Sequence, residues 1–300
     1  MSFNSLRASD FIYGFVGLGL MGGSFARGIR EKILCTQDSK GDILACDVQE
    51  ASLKLAESQG IISKGFSLNQ VDQMLEICDV VFVCLYPHAT LNFILEHQDA
   101  FKKNAIITDI SGVKTELLEG LDKNLRDDLD YISGHPMAGS EKEGFSHSSS
   151  DIFKNRNYIL MPHEKNNLEN LEFFKNLVTT LGFRRIIETD ACTHDHKIAF
   201  TSQLCHIIAA ALVDSAEDTN ITAFGGGSFE DLTRIAMINA PLWTELFAAN
   251  KDELLKHIDS FEKSLSLLKN NIEKNDKESM KSILENVRLK RIAMSRIEQH

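Results

Sequence analysis

Two cysteines never stand two residues apart in this chain. The six (35, 46, 78, 84, 192 and 205) are scattered through apolar segments, without a CxxC pair to hold zinc or a redox disulfide. That pattern fits reduced, mostly buried thiols and a cytoplasmic setting rather than a disulfide framework. Proline is scarce too, at four in 300 residues, and there is no low-complexity tract or internal repeat. No apolar run approaches the length of about 20 residues that crosses a bilayer, and no basic segment leads into an apolar one at the N-terminus. A basic stripe is also missing: the formal net charge is −11. This argues against nucleic acid and anionic membranes as partners. An anionic ligand would need a local basic pocket against an unfavourable overall field, so the few arginines and histidines on apolar segments gain interest.

What is present is an ordinary globular composition, 43% hydrophobic and 25% charged, long enough for one large domain or two ordinary ones. The first half alternates apolar runs with amphipathic stretches. Segments 12–17, 42–47, 79–85, 105–110 and 131–134 read as strands buried on both faces, with helical patterns between them at 20–32, 50–58 and 113–122. Such alternation implies a doubly wound parallel sheet with right-handed crossovers. A strand at 156–162, a helix at 167–181 and a strand at 184–189 extend it at one edge. Beyond Thr189 the pattern is helical: 191–216, a Gly-rich break at 224–229, 229–239, then 242–270 and 275–297. The expected architecture is α/β: a Rossmann-type domain over 1–188, followed by an all-helical domain over 189–300.

"GLGLMG" places Gly17, Gly19 and Gly22 in GxGxxG spacing between a strand and a helix. Glycine is needed for the tight turn, for close approach of backbone to a pyrophosphate, and for helix–strand packing. With Leu20 and Met21 these residues form a dinucleotide turn at a helix N-terminus. Asp47, at the end of the second strand, can take the adenine ribose hydroxyls. No arginine follows it, so NAD is expected over NADP. "CLYP" (84–87) brings Leu85 and Pro87 beside the cofactor.

"GHPMAGSEKEGF" (134–145) shows neither helical nor strand periodicity and holds His135 before a proline. His135 and Ser111 follow strands, which places both on the carboxyl rim where ligands bind such sheets. An imidazole there can take a proton from a substrate hydroxyl as hydride leaves the same carbon. Ser111 reads equally as an N-cap for the helix that follows or as a hydroxyl bridging substrate and imidazole. In "THDHKIAFTSQLCH" (193–206), Asp195, Ala199, Ser202 and His206 share nearly one helical face. His206 is then either a core histidine or an anion contact at a cleft. His194, His196 and Cys192 do not converge as metal ligands, and no metal is expected. Asp231 and Arg234, three apart, form either a plain helical ion pair or an oriented guanidinium fork for a carboxylate.

Taken together, "GFVGLGLMGGSFA", "TDISGVK", "GHPMAGSEKEGF", "HD…SQLCH" and "FEDLTRIAMINAPLW" resemble the prephenate dehydrogenase family over about residues 11 to 250. The resemblance implies NAD-dependent oxidative decarboxylation of prephenate to 4-hydroxyphenylpyruvate on the route to tyrosine. It implies His135 as catalytic histidine, Ser111 as the bridging serine, and Arg234 as the carboxylate binder with Asp231 beside it. His206 matches the second pocket histidine, and Ser140 and Glu141 match pocket positions. The family's Ser-His-Leu-Pro-His reads Ser-Gln-Leu-Cys-His here, so Gln203 and Cys205 depart at pocket positions that bear on side-chain specificity. A homodimer built on the helical half is also implied.

Neither a fused mutase segment nor an appended sensing domain is expected, which points to a monofunctional enzyme. Arogenate dehydrogenase, or dual action on both cyclohexadienyl acids, is the near alternative. A 6-phosphogluconate-type β-hydroxyacid dehydrogenase shares "GFVGLGLMG", but it needs a catalytic lysine on the interdomain helix, where only Lys197 stands. A non-catalytic NAD sensor would need no rim imidazole.

Overall fold

The computed structural model describes residues 7–297; the expected domain ends at 1–6 and 298–300 lie outside them. Eight strands form one sheet: β1 Ile12–Val16, β2 Asp42–Cys46, β3 Lys64–Phe66, β4 Val80–Val83, β5 Ile106–Asp109, β6 Asp130–Pro136, β7 Asn157–Met161 and β8 Arg185–Glu188. Their spatial order is β3-β2-β1-β4-β5-β6-β7-β8. Every pairing is parallel except β6 with β7. The sheet is therefore mixed rather than wholly parallel, and β3 is a strand the apolar pattern misses.

Alternate residues of the strands feed two cores. Tyr13, Phe15 and Phe82 face one side with Phe25 and Phe174, while Val16, Val81 and Val83 face the other with Ile107 and Leu117. Burial on both faces is what makes these strands read as continuous apolar runs. Helices α1 (Leu20–Lys32), α2 (Glu50–Ser58), α3 (Val71–Leu75), α4 (Pro87–Glu96), α5 (Thr115–Asn124) and α6 (Leu168–Leu181) connect the strands.

A long helix then runs from Ala191 to Asp214, as α7 (Ala191–Ile198), a π-helical segment (Ala199–Gln203) and α8 (Leu204–Asp214). By length and composition it could cross a membrane, with mean hydropathy 1.2, which corrects the expectation that no segment could. Its first turns nonetheless hold His194 and Asp195 buried against the sheet domain. The remaining helices are shorter than expected. α9 (Gly227–Thr233) gives way to a 3-10 turn at Arg234–Ala236, and α10 (Ala240–Ala249) is separated from α11 (Lys251–Glu273) at Asn250. That break has a cause: the Asn250 amide is buried and donates to Gln203 Oε1 and to the Asp195 carbonyl, both at 2.9 Å.

The chain divides into two compact units, one through Asn250 and one from Lys251. The second is a helical hairpin of α11 and α12 (Lys277–Ile297), its turn capped by Asp276, which accepts from Ser279 N–H and Oγ. The cysteines are less buried than expected: Cys35, Cys192 and Cys205 are exposed, Cys46 and Cys78 buried, and all six are free thiols.

Candidate active site

β1 ends at Val16 and α1 begins at Leu20, so the glycine turn occupies three residues. Gly17 has φ of +91°, in the left-handed region, and a Cβ there would lie 2.6 Å from the Cys84 carbonyl. A Cβ on Gly22 would lie 2.1 Å from the Gly17 carbonyl. On Gly19, by contrast, it would meet nothing within 4 Å. Gly17 and Gly22 are therefore required by the protein's own packing. Gly19 leaves open space in front of a helix N-terminus, where unpaired N–H groups favour an anion. That open cradle fits a dinucleotide pyrophosphate.

Around the cradle, Leu20 and Met21 form the half-buried first turn of α1. Leu85 flanks Gly17, and Pro87 opens α4. Asp47 accepts from Leu18 N–H at 2.5 Å and Gln49 N–H at 2.7 Å, tying the ends of β1 and β2 together. A carboxylate has further lone pairs to offer ribose hydroxyls.

His135 does not follow its strand. It lies within β6, opposite Ile159 of β7, and so does Pro136. The imidazole is half-buried, and its Nδ1 stands 2.9 Å from His194 Nε2. Its Nε2 faces the loop after β5, 3.8 Å from where a Gly112 Cβ would sit. Burial holds its pKa well below the usual histidine value, and the neighbouring His194 and Lys114 push the same way.

Ser111 is not the cap of α5: that helix starts at Thr115, and the Ser111 Oγ is buried with no hydrogen-bond partner. Of the two readings of Ser111, the unpartnered hydroxyl beside Gly112 favours the one directed at a ligand.

Sequence reasoning missed the groups that hold His135. His194 Nδ1 is 2.7 Å from Asp195 Oδ1. Asp195 also accepts from Lys114 N–H, Thr115 N–H and Thr115 Oγ1, and so serves α5 as a cap supplied from another helix. Burial works to raise the Asp195 pKa, but hydrogen bonds from His194 and Thr115 outweigh it and keep the carboxyl below its usual range. Beneath lies a fully buried ion pair, with Lys114 Nζ 2.7 Å from Asp109 Oδ2 and 2.6 Å from the Gly134 carbonyl. Tyr131 donates to the other Asp109 oxygen at 2.6 Å. The "HD" pair at 194–195 and the lysine of "TDISGVK" were visible, but nothing in their spacing shows that they meet.

The π-helical segment shifts the register of the long helix, so Asp195 and His206 do not share one working face. Asp195 turns to the sheet domain, whereas His206 stacks on Trp243 of α10 with ring centroids 3.6 Å apart. Its Nδ1 donates to the Ser202 carbonyl at 2.9 Å. Burial lowers its pKa, with the Arg234 charge adding to the effect, so it presents a neutral ring with Nε2 as acceptor.

Gln203 is placed differently from a pocket residue. It is buried, its amide donating to the Leu246 carbonyl and accepting from Asn250, which ties the π-helical segment to the end of α10. Nor does Arg234 pair with Asp231, which is exposed on α9. Its Nη1 lies 3.4 Å from Glu141 Oε2, and the side chain is 60% exposed. Ser140, also exposed, accepts from Lys142 N–H. Nearby, Asn239 donates to Glu143 at 2.6 Å and Tyr86 donates to Asn239 at 3.4 Å. His88 N–H donates to Glu245 of α10 at 2.7 Å.

A Rossmann-type sheet with a glycine cradle, and an imidazole directed at the loop that holds an unpartnered serine hydroxyl, define a dehydrogenase of the NAD(P)-dependent class. Comparison narrows this. Residues 31–187 match the prephenate dehydrogenase nucleotide-binding domain, and residues 190–286 match the prephenate dehydrogenase dimerization domain. The chain belongs to the prephenate dehydrogenase family. Prephenate dehydrogenase of Bacillus subtilis is 26% identical, over 88% of this chain and 71% of its own. That of Lactococcus lactis is 29% identical, over 93% and 76%. The structure of Aquifex aeolicus prephenate dehydrogenase with hydroxyphenyl propionate and NAD+ superposes with a TM-score of 0.84 at 29% identity, covering 97% of this chain and 99% of that one.

Proposed function

We propose that this protein oxidises and decarboxylates prephenate to 4-hydroxyphenylpyruvate with NAD+. Family membership supports a dehydrogenase acting on prephenate or arogenate, and the relative of known structure binds NAD+ and a hydroxyphenyl acid. The observation that carries the reading is local: His135 presents Nε2 to the loop holding the buried, unpartnered Ser111 hydroxyl. A carbinol placed between them would find a proton acceptor and a hydrogen-bond partner together.

NAD+, held at the open Gly19 cradle, would supply the hydride acceptor for C4 of the ring. His135 Nε2 takes the C4 hydroxyl proton as that carbon becomes a carbonyl, and Ser111 orients the oxygen. Loss of carbon dioxide from C1 then sends its electron pair through the ring to that oxygen, and the proton on Nε2 returns to it to give the phenol. No net proton is released. Because rearomatisation drives the decarboxylation, no acid is required at C1.

Arg234 is proposed to hold a substrate carboxylate, with His206, Ser140, Glu141 and Asp231 lining the entrance. Asp47, with no arginine after it, supports NAD over NADP. Exposed apolar residues on the helical hairpin, among them Leu265, Ile272, Leu284 and Val287, together with the dimerization-domain match, support a homodimer. A cytoplasmic site of action and domains meeting near residue 188 belong to the same reading. The test is absorbance of the reduced nicotinamide with prephenate or arogenate and each dinucleotide. Turnover of prephenate with NAD+ is expected; turnover of neither acid would overturn the proposal.

A further inference from the structure

The reaction above names His135 as the base but leaves open why its lone pair sits on Nε2 rather than Nδ1. We infer that His194 and Asp195 are positioning residues that dictate this tautomer through the His135–His194–Asp195 chain. The inference rests on His135 being the base, and its first test does not depend on the substrate.

The assignment follows from one end. Asp195 is buried and ionised, so it can only accept, and it already takes hydrogen bonds from three donors of the α5 N-terminus. His194 Nδ1, 2.7 Å away, must therefore carry a proton. His194 is itself buried, and burial lowers its pKa despite Asp195, so the ring is neutral and its Nε2 bears a lone pair. His135 Nδ1, 2.9 Å from that lone pair, must then be the donor. In the neutral His135 ring this leaves Nε2 as the acceptor, on the side facing Gly112 in the loop after β5.

Each step is forced by the one before. The chain begins at a carboxylate fixed by the helix it caps, so the orientation of both rings is tied to the packing of α7 on α5. The other charged group acting on His135, Lys114, is a cation held by Asp109 and offers Nδ1 no competing acceptor. When His135 gains a proton at Nε2, its Nδ1–H continues to donate to neutral His194, so the relay turns without rearranging.

The test is nitrogen-15 NMR of the histidine side chains in the substrate-free protein, which reads the tautomer directly. The expected result is His135 with its proton on Nδ1. In His194→Leu, which has no acceptor, the ring should lose that preference, kcat should fall about 100-fold, at the low end of a general base's contribution, and KM should change less than about threefold. His194→Gln, whose amide can donate to Asp195 and accept from His135, should restore the Nδ1–H form and most of kcat. Wild-type protein showing His135 protonated on Nε2 would overturn the inference, even if the Leu variant did not fold. So would a Gln variant no better than Leu. A confirmed tautomer in a protein that turns over neither cyclohexadienyl acid would uphold this inference while removing the proposed function.

Discussion

Replacing Lys114 by methionine probes the buried charge beneath the site. Lys114 and Asp109 have no exposed side-chain surface, and the ammonium also holds the Gly134 carbonyl, the peptide immediately before His135. Burial lowers the lysine's pKa even against its carboxylate partner. Methionine fills similar volume but leaves Asp109 as an uncompensated anion and Gly134 O without its donor. Removing one member of a buried pair costs about 3–5 kcal/mol, or roughly a 6–20 °C lower Tm for a unit of this size. Asp109→Asn in the same chain should recover at least half of that, since the asparagine oxygen still accepts from Ser111 N–H while its amide can donate to the Tyr131 hydroxyl.

The functional effect has a definite sign. The Lys114 charge depresses the His135 pKa, and an unpaired Asp109 would raise it further, so the methionine variant's base should protonate at higher pH. The acid limb of kcat/KM therefore moves upward. Differential scanning calorimetry and a pH–rate profile check the two effects separately. A Tm loss under about 2 °C would mean that the pair contributes under about 1 kcal/mol, and the buried-pair reasoning would fail.

Gly19→Ala should leave stability within about 0.5 kcal/mol of wild type, as for a substitution into open space, while weakening NAD+ binding at least about 10-fold by blocking the pyrophosphate's approach to backbone; calorimetric titration decides. Asp195→Ala should lower stability by about 2–4 kcal/mol by orphaning the α5 N–H groups, measurable as a shifted urea midpoint. His135 and His194 both sit below the ordinary histidine pKa, chiefly through burial. Their contribution to stability is therefore full above about pH 6.5 and is lost as pH falls toward their folded values, where the unfolded chain binds protons the folded one refuses. A His135→Asn/His194→Gln chain should lose less Tm between about pH 7.5 and pH 5.

Much of the fold was legible because doubly buried strands announce themselves as apolar runs. α1 and α2 begin and end where their patterns do. β3 was hidden by its length and by an exposed Lys64 beside Gly65. The reversed direction of β7 is a tertiary fact that no local pattern encodes. The stretch from Gly134 shows no strand periodicity, and proline cannot donate within a sheet; Pro136 nonetheless ends β6, paired with Tyr158 of β7.

At the site, Ser111 could be singled out by residue type and position after a strand, and His135 by residue type beside a proline, although it lies within β6. Their supports could not. His194 lies 59 residues from His135, and Lys114 lies 81 from Asp195. These contacts exist only once α7 packs on α5. The π-helical segment compounds the problem, since helical spacing projects Asp195 and His206 onto one face that the structure separates.

The most direct measurement is turnover of prephenate and NAD+ by His135→Asn, with binding of both ligands measured on the same protein. Asparagine keeps a donor for His194 but offers no basic nitrogen. The account predicts a kcat at least about 100-fold lower with ligand affinities near wild type. Turnover close to that of the unaltered protein would contradict it.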